Sequence, residues 1–198
     1  KIEFINLEHP FVSILRKRIS NAASYGTVSA LRLNLNKFSG VSGFWFIYKL
    51  LIQNNVDKEK IVIISIFMED DDFCNRRISA YLENTMIRDA MIVQNFNCEL
   101  PLEIYAEAAI KEAKGKANDI FTATKLTWLE EIMAYEKRAE EYYRFKENAV
   151  KNIQVENIRT SKMKSLMAER RNEVNKFKLK KNIIPKLELY QAAFVEFE

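Results

Sequence analysis

The chain has 198 residues, 48% of them hydrophobic, with 31 Lys/Arg against 27 Asp/Glu and a net charge of +4. That length supports a sizeable core, and 4 Gly with 3 Pro excludes a low-complexity or disordered chain. Cys74, Cys98 and His9 are the only residues of their types, too few for a structural Cys/His metal site, and no run of about 20 apolar residues is present to span a membrane. Two cysteines without a CxxC pair fit a reducing, cytoplasmic setting. A chain that opens on Lys1 rather than Met reads as an excised piece.

The spacing of Phe11, Ile14, Leu15 and Ile19 after Pro10 predicts a helix over 11–23. Residues 28–36 alternate, with Ser29, Leu31, Leu33 and Leu35 on one side, and predict a half-buried strand. Ser39-Gly40-Val41-Ser42-Gly43 reads as a turn, 44–52 as a central strand, Asn54-Asn55 as its end, and 61–68 as a buried strand. Short connections of this kind predict antiparallel pairing. Residues 76–91 then read as a helix, with Ile78, Tyr81 and Leu82 on one face.

The second half changes character. A helix is predicted over 102–151, about 75 Å long at 1.5 Å per residue, with Gly115 and Asn118-Asp119 as candidate interruptions. Phe121, Trp128, Ile132, Tyr135, Ala139, Tyr142, Ala149 and Ile153 step by threes and fours and predict a heptad seam. A second helix, to about Asn182, carries the seam Met163, Met167, Val174, Phe177 and Ile184. Two such seams joined by a short polar link predict an antiparallel helical hairpin, ended by Pro185. Leu187, Leu189, Ala193, Val195 and Phe197 then predict a strand returning to the sheet. The fold class is α+β, an antiparallel sheet with packed helices and a long helical hairpin. It is organised as an α+β core over 1–100, a hairpin arm over 101–184 and a terminal strand over 185–198.

No catalytic constellation is legible. Gly115-Lys116 lacks the upstream glycine and the Ser/Thr of a phosphate loop. His9 precedes a helix start and has no nucleophile motif beside it. Glu69 to Asp72 lacks the ligand spacing of a calcium loop and reads as a solvated turn. Trp45 and Trp128 read as core residues. Neither catalytic residues nor a metal or cofactor site are expected.

Charge is more informative. Residues 138–186 hold 14 Lys/Arg and 6 Asp/Glu, a net +8, leaving −4 for the remainder. Arg159, Lys162, Lys164, Arg170, Arg171, Lys176, Lys178, Lys180 and Lys181 are therefore candidate contacts to nucleic-acid phosphates. The competing account is a solvated helix face. A further one is a coiled-coil interaction or oligomerisation module, drawn from the heptad seam.

Several stretches carry a resemblance when taken together: Leu7-Glu8-His9-Pro10-Phe11-Val12, Gly43-Phe44-Trp45-Phe46-Ile47-Tyr48-Lys49-Leu50, Glu156-Asn157-Ile158-Arg159 and Ile184-Pro185-Lys186-Leu187-Glu188-Leu189. Their order resembles the C-terminal region of bacterial SWI/SNF-type helicases, a group that includes an RNA-polymerase-associated ATPase. The resemblance implies a non-catalytic accessory domain of an ATP-dependent nucleic-acid motor. Its implied partners are the parent chain's own motor lobes, DNA or RNA, and RNA polymerase, with no membrane. ATP and Mg are expected only in those motor lobes, whose phosphate loop and acidic box are not in this sequence.

Overall fold

The computed structural model describes residues 29–69, 74–84, 90–93 and 102–198. The helix expected over 11–23, His9, Asp70 to Asp72 and Cys98 lie outside the described residues. In chain order the elements are β1 (Ser29–Leu33), a 3-10 turn (Asn36–Phe38), β2 (Ser42–Asn54), β3 (Glu59–Glu69), α1 (Arg76–Asn84), β4 (Ala90–Val93), α2 (Leu102–Lys151), α3 (Glu156–Lys181) and β5 (Ile183–Phe197). The α+β class is as the sequence indicates.

The strands form one sheet in the order β3-β2-β5-β1-β4. β1 pairs antiparallel with β4, Ala30 opposite Val93, and parallel with β5, Leu31 opposite Val195. The sheet is therefore mixed, where an antiparallel sheet is expected from the sequence. β5 arrives only after the whole helical segment, so no tight turn dictates its direction beside β1. On its other side, Gly40 and Val41 exchange hydrogen bonds with Phe197, which sets β5 antiparallel to the start of β2. Gly40 takes φ 84°, a left-handed turn conformation that favours glycine.

Contacts divide the chain into two compact units: residues within 1–49, 63–115 and 188–198, and residues 50–62 with 116–187. In the first unit the strands bury both faces. On one, Leu33, Phe67, Ala193, Val195 and Phe197 pack with Ile78 and Leu82 of α1, and with Trp45 at their edge. On the other, Phe44 meets Phe194 at 5.4 Å and Tyr105 of α2 at 5.0 Å, ring to ring. Ala109 and Ala113, one and two turns on, are buried and small enough to let α2 lie close.

Polar groups tie the first unit together locally. Asn75 caps α1, its Oδ1 accepting from the N–H groups of Arg77 at 3.1 Å and Ile78 at 3.0 Å. Its side-chain amide donates to Glu69. The fully buried Ser79 Oγ donates to the Asn75 carbonyl and accepts the Phe67 N–H at 2.9 Å. Gly43 lets two strands come close. A Cβ there would stand 2.1 Å from the Met68 carbonyl oxygen, so only glycine admits this approach of β3. α1 ends at Asn84, and 90–93 is a strand where a helix to 91 is expected. Ala-Met-Ile-Val suits a sheet position, and pairing with β1 overrides helical propensity.

In the second unit, Asn54 shapes the β2–β3 turn. Its Oδ1 accepts the N–H groups of Val56, Asp57 and Lys58 at 2.9–3.0 Å. α2 runs unbroken through Gly115, which has nothing within 4 Å of its Cβ position. α2 and α3 are antiparallel: Lys181 reaches Glu136 at 2.5 Å and Lys146 reaches Glu169 at 4.0 Å. α3 stops at Lys181, and Pro185 sits near the start of β5 rather than ending the helix. A missing N–H is tolerated at that end of a strand.

The expected seam is shifted by one residue along much of this pair. Ile132 and Tyr143 are buried on α2, but Tyr135, Tyr142 and Ala149 are exposed. On α3 the buried residues are Leu166 and Phe177, Met163 is half-buried, and Met167 and Val174 are exposed. At these steps each helix offers two adjacent candidates, Tyr142 beside Tyr143 and Leu166 beside Met167, and packing turns Tyr143 and Leu166 inward.

Candidate nucleic-acid interface

α3 has no Gly or Pro, Glu156 in its first turn and Lys178, Lys180 and Lys181 in its last. Acid at the N-terminus and base at the C-terminus both favour the helix dipole. Leu166 and Phe177 define the buried side. The cations divide according to where they stand relative to it.

Four of the nine candidate residues are held inside the chain. Arg159 pairs with Glu156 at 3.5 Å, Lys176 with Glu173 at 3.5 Å, Lys180 with Asp57 at 2.6 Å and Lys181 with Glu136 at 2.5 Å. The Lys180 ammonium holds the Asp57 carboxyl below its ordinary range, helped by the Asn54 amide. Lys180 and Lys181 therefore brace the helical pair and the β2–β3 turn, a role that sequence reasoning missed. Two further carboxylates of this turn and helix surface are engaged, Glu131 by Lys58 and Glu147 by Lys151. Lys151 holds Glu147 below its ordinary range, with a smaller contribution from Arg170.

Lys162, Lys164, Arg170, Arg171 and Lys178 are exposed and make no ion pair with a described residue. Lys164, Arg171 and Lys178 are seven residues apart in turn, so they line one edge of α3 at about 10.5 Å intervals. Met167, Arg170, Arg171, Val174, Asn175 and Lys178 border a shallow depression of about 400 Å³ on this side of the helix. The heptad pattern assigns Met167 and Val174 to the seam. Their exposure instead gives the cationic edge an apolar companion, and Leu166 beside Met167 is the sequence signal that the seam could run one residue aside.

The remaining candidates fall elsewhere. Trp45 borders the α1-side core, its indole Nε1 buried without a hydrogen-bond partner among the described residues. Trp128 is half-buried with the Lys58 ammonium 5.4 Å from its ring. Cys74 is half-buried and forms a β-bridge to Met68 of β3. Glu69 belongs to β3 rather than to a turn. Among the described residues no group of three or more His, Cys, Asp or Glu is placed to hold a metal ion, and no helix is long and apolar enough to cross a membrane. No family model matches the chain, and no curated protein matches it either.

Proposed function

We propose that the chain is a non-catalytic accessory domain of a SWI/SNF-type nucleic-acid motor, and that it contacts the nucleic-acid backbone through the exposed edge of α3. The observation that carries the contact is the division of the cations. Glu131, Glu147, Glu156, Glu169 and Glu173 pair with other cations, while Lys162, Lys164, Arg170, Arg171 and Lys178 stand exposed without an ion pair among the described residues. Cations spaced along a helix edge suit phosphates, which fix position and carry no sequence information. No reacting group is assigned to this chain. ATP hydrolysis belongs to the proposed motor lobes.

The contact is tested by fluorescence anisotropy of labelled duplex DNA, single-stranded DNA and RNA over a salt series. The expected result is weak binding that falls steeply with salt, with little dependence on base sequence. Absence of binding at low salt, or binding indifferent to salt, contradicts it. The motor assignment has its own test in the reading frame upstream of Lys1. A phosphate loop and an acidic box there support it, and a frame without them removes it.

A further inference from the structure

We propose that the exposed aromatic stripe of α2 is a self-association surface, covered by the same stripe of a second copy of this chain lying antiparallel to it. Tyr135, Tyr142 and Phe145 are 59%, 49% and 74% exposed. With Arg138 they follow one another by three, four and three residues, so they share one face of the helix. The face is distinct from the cationic edge of α3. Arg170 and Val174 stand beside Glu136, Glu140 and Tyr143, on the opposite flank of α2 from Tyr135 and Tyr142.

The chemistry of the stripe complements itself. An isologous contact requires that residue i meets j and j meets i. Two antiparallel copies centred on residue 140 place Tyr135 opposite Phe145 of the second copy and Arg138 opposite Tyr142 of the second copy. The first pairing is aromatic on aromatic. The second puts a guanidinium on the Tyr142 ring face away from the Lys146 ammonium, which lies 4.5 Å from the ring centroid, in the geometry Arg138 already adopts 5.8 Å from its own Tyr135 ring. Glu141 flanks the stripe and meets the Arg138 region of the second copy, so one cation and one anion are exchanged in each direction. Glu131, on the same side, is already held by Lys58. A stripe with balanced charge and exposed rings offers little to a polyanion and suits its own copy. It covers about three helical turns, far less than an obligate dimer interface, so the association is weak.

Sedimentation of the full chain over a series from about 5 to about 500 µM, the range of weak association, tests this. The average mass is expected to rise with concentration toward that of a dimer. Phe145→Glu should weaken association at least tenfold and leave the thermal melt unchanged, because the ring is exposed. Arg138→Glu should weaken it too, and the charge-swapped double variant Arg138→Glu/Glu141→Arg should restore it. A monomer at every concentration overturns the proposal, as does association indifferent to Phe145→Glu or a swap that restores nothing. Loss of nucleic-acid binding in Phe145→Glu, without self-association of the parent chain, also overturns it and gives the face to nucleic acid. The α3 contact stands or falls separately, since none of these substitutions touches its cations.

Discussion

Two phenylalanines, one from each compact unit, stand in opposite environments. Phe67 of the sheet unit has no exposed surface and packs edge-on against Phe197 at 5.6 Å between ring centres. Phe145 of the helical unit is 74% exposed. The sheet unit closes its apolar surface on both faces, with α1 on one and the start of α2 on the other. The helical unit closes one narrow seam and leaves cations and aromatic rings outside it. Ion pairs join the β2–β3 turn to the helices there, through Lys58–Glu131 and Lys180–Asp57. The first unit holds the closed core, and the second presents exposed cations and rings.

Truncation breaks or sharpens this contrast. Phe67→Ala should cost about 3–5 kcal/mol in urea unfolding, because a closed core collapses only partly around the cavity. Phe145→Ala should change stability by less than about 0.5 kcal/mol, as surface substitutions do. Similar losses for the two would erase the distinction. Gly43→Ala should cost roughly 2–3 kcal/mol, because β3 must move away from the new methyl group. Ser79→Ala should cost roughly 1–3 kcal/mol by leaving the buried Phe67 N–H without its acceptor. Slow amide exchange retained at Phe67 in that variant would contradict the assignment.

Two pH effects follow, one from each unit. Burial pushes the Tyr48 hydroxyl up to about 12, above the ordinary value of 10.0. The folded state holds that proton more tightly, so its contribution is intact below pH 10.0 and lost as pH rises through about 12. Tyr48→Phe should move alkaline unfolding to higher pH. The Asp57 carboxyl is lowered by Lys180, so its contribution is present above the ordinary carboxylate range, about pH 4, and is lost as pH falls through the lowered value. The pair is partly exposed, so Asp57→Asn should cost less than about 1 kcal/mol at neutral pH and should remove that acid-side dependence.

Much of the architecture is legible in residue pattern. The 50-residue helix α2 coincides with the uninterrupted 102–151 stretch, and the antiparallel pairing of α2 with α3 follows from two apolar seams joined by a short link. Register is less accessible. Tyr142 and Tyr143 are adjacent aromatics, and apolar spacing does not say which of the two turns to the contact. The parallel direction of β5 beside β1 is hidden because a long connection imposes no direction on the strand. The pairing of Lys180 with Asp57 joins residues 123 apart and leaves no local trace. The basic composition of α3 is readable, but only its fold separates bracing cations from exposed ones.

Nucleic-acid affinity over a salt series tells the exposed cations of α3 from the bracing ones. The account predicts that Lys164→Gln/Arg171→Gln/Lys178→Gln weakens binding on every sequence and makes the slope of log affinity against log salt shallower by about 3. It predicts that Arg159→Gln/Lys176→Gln, which removes cations already paired with Glu156 and Glu173, changes that slope far less. Equal losses from the two variants, or none from the first, would contradict it.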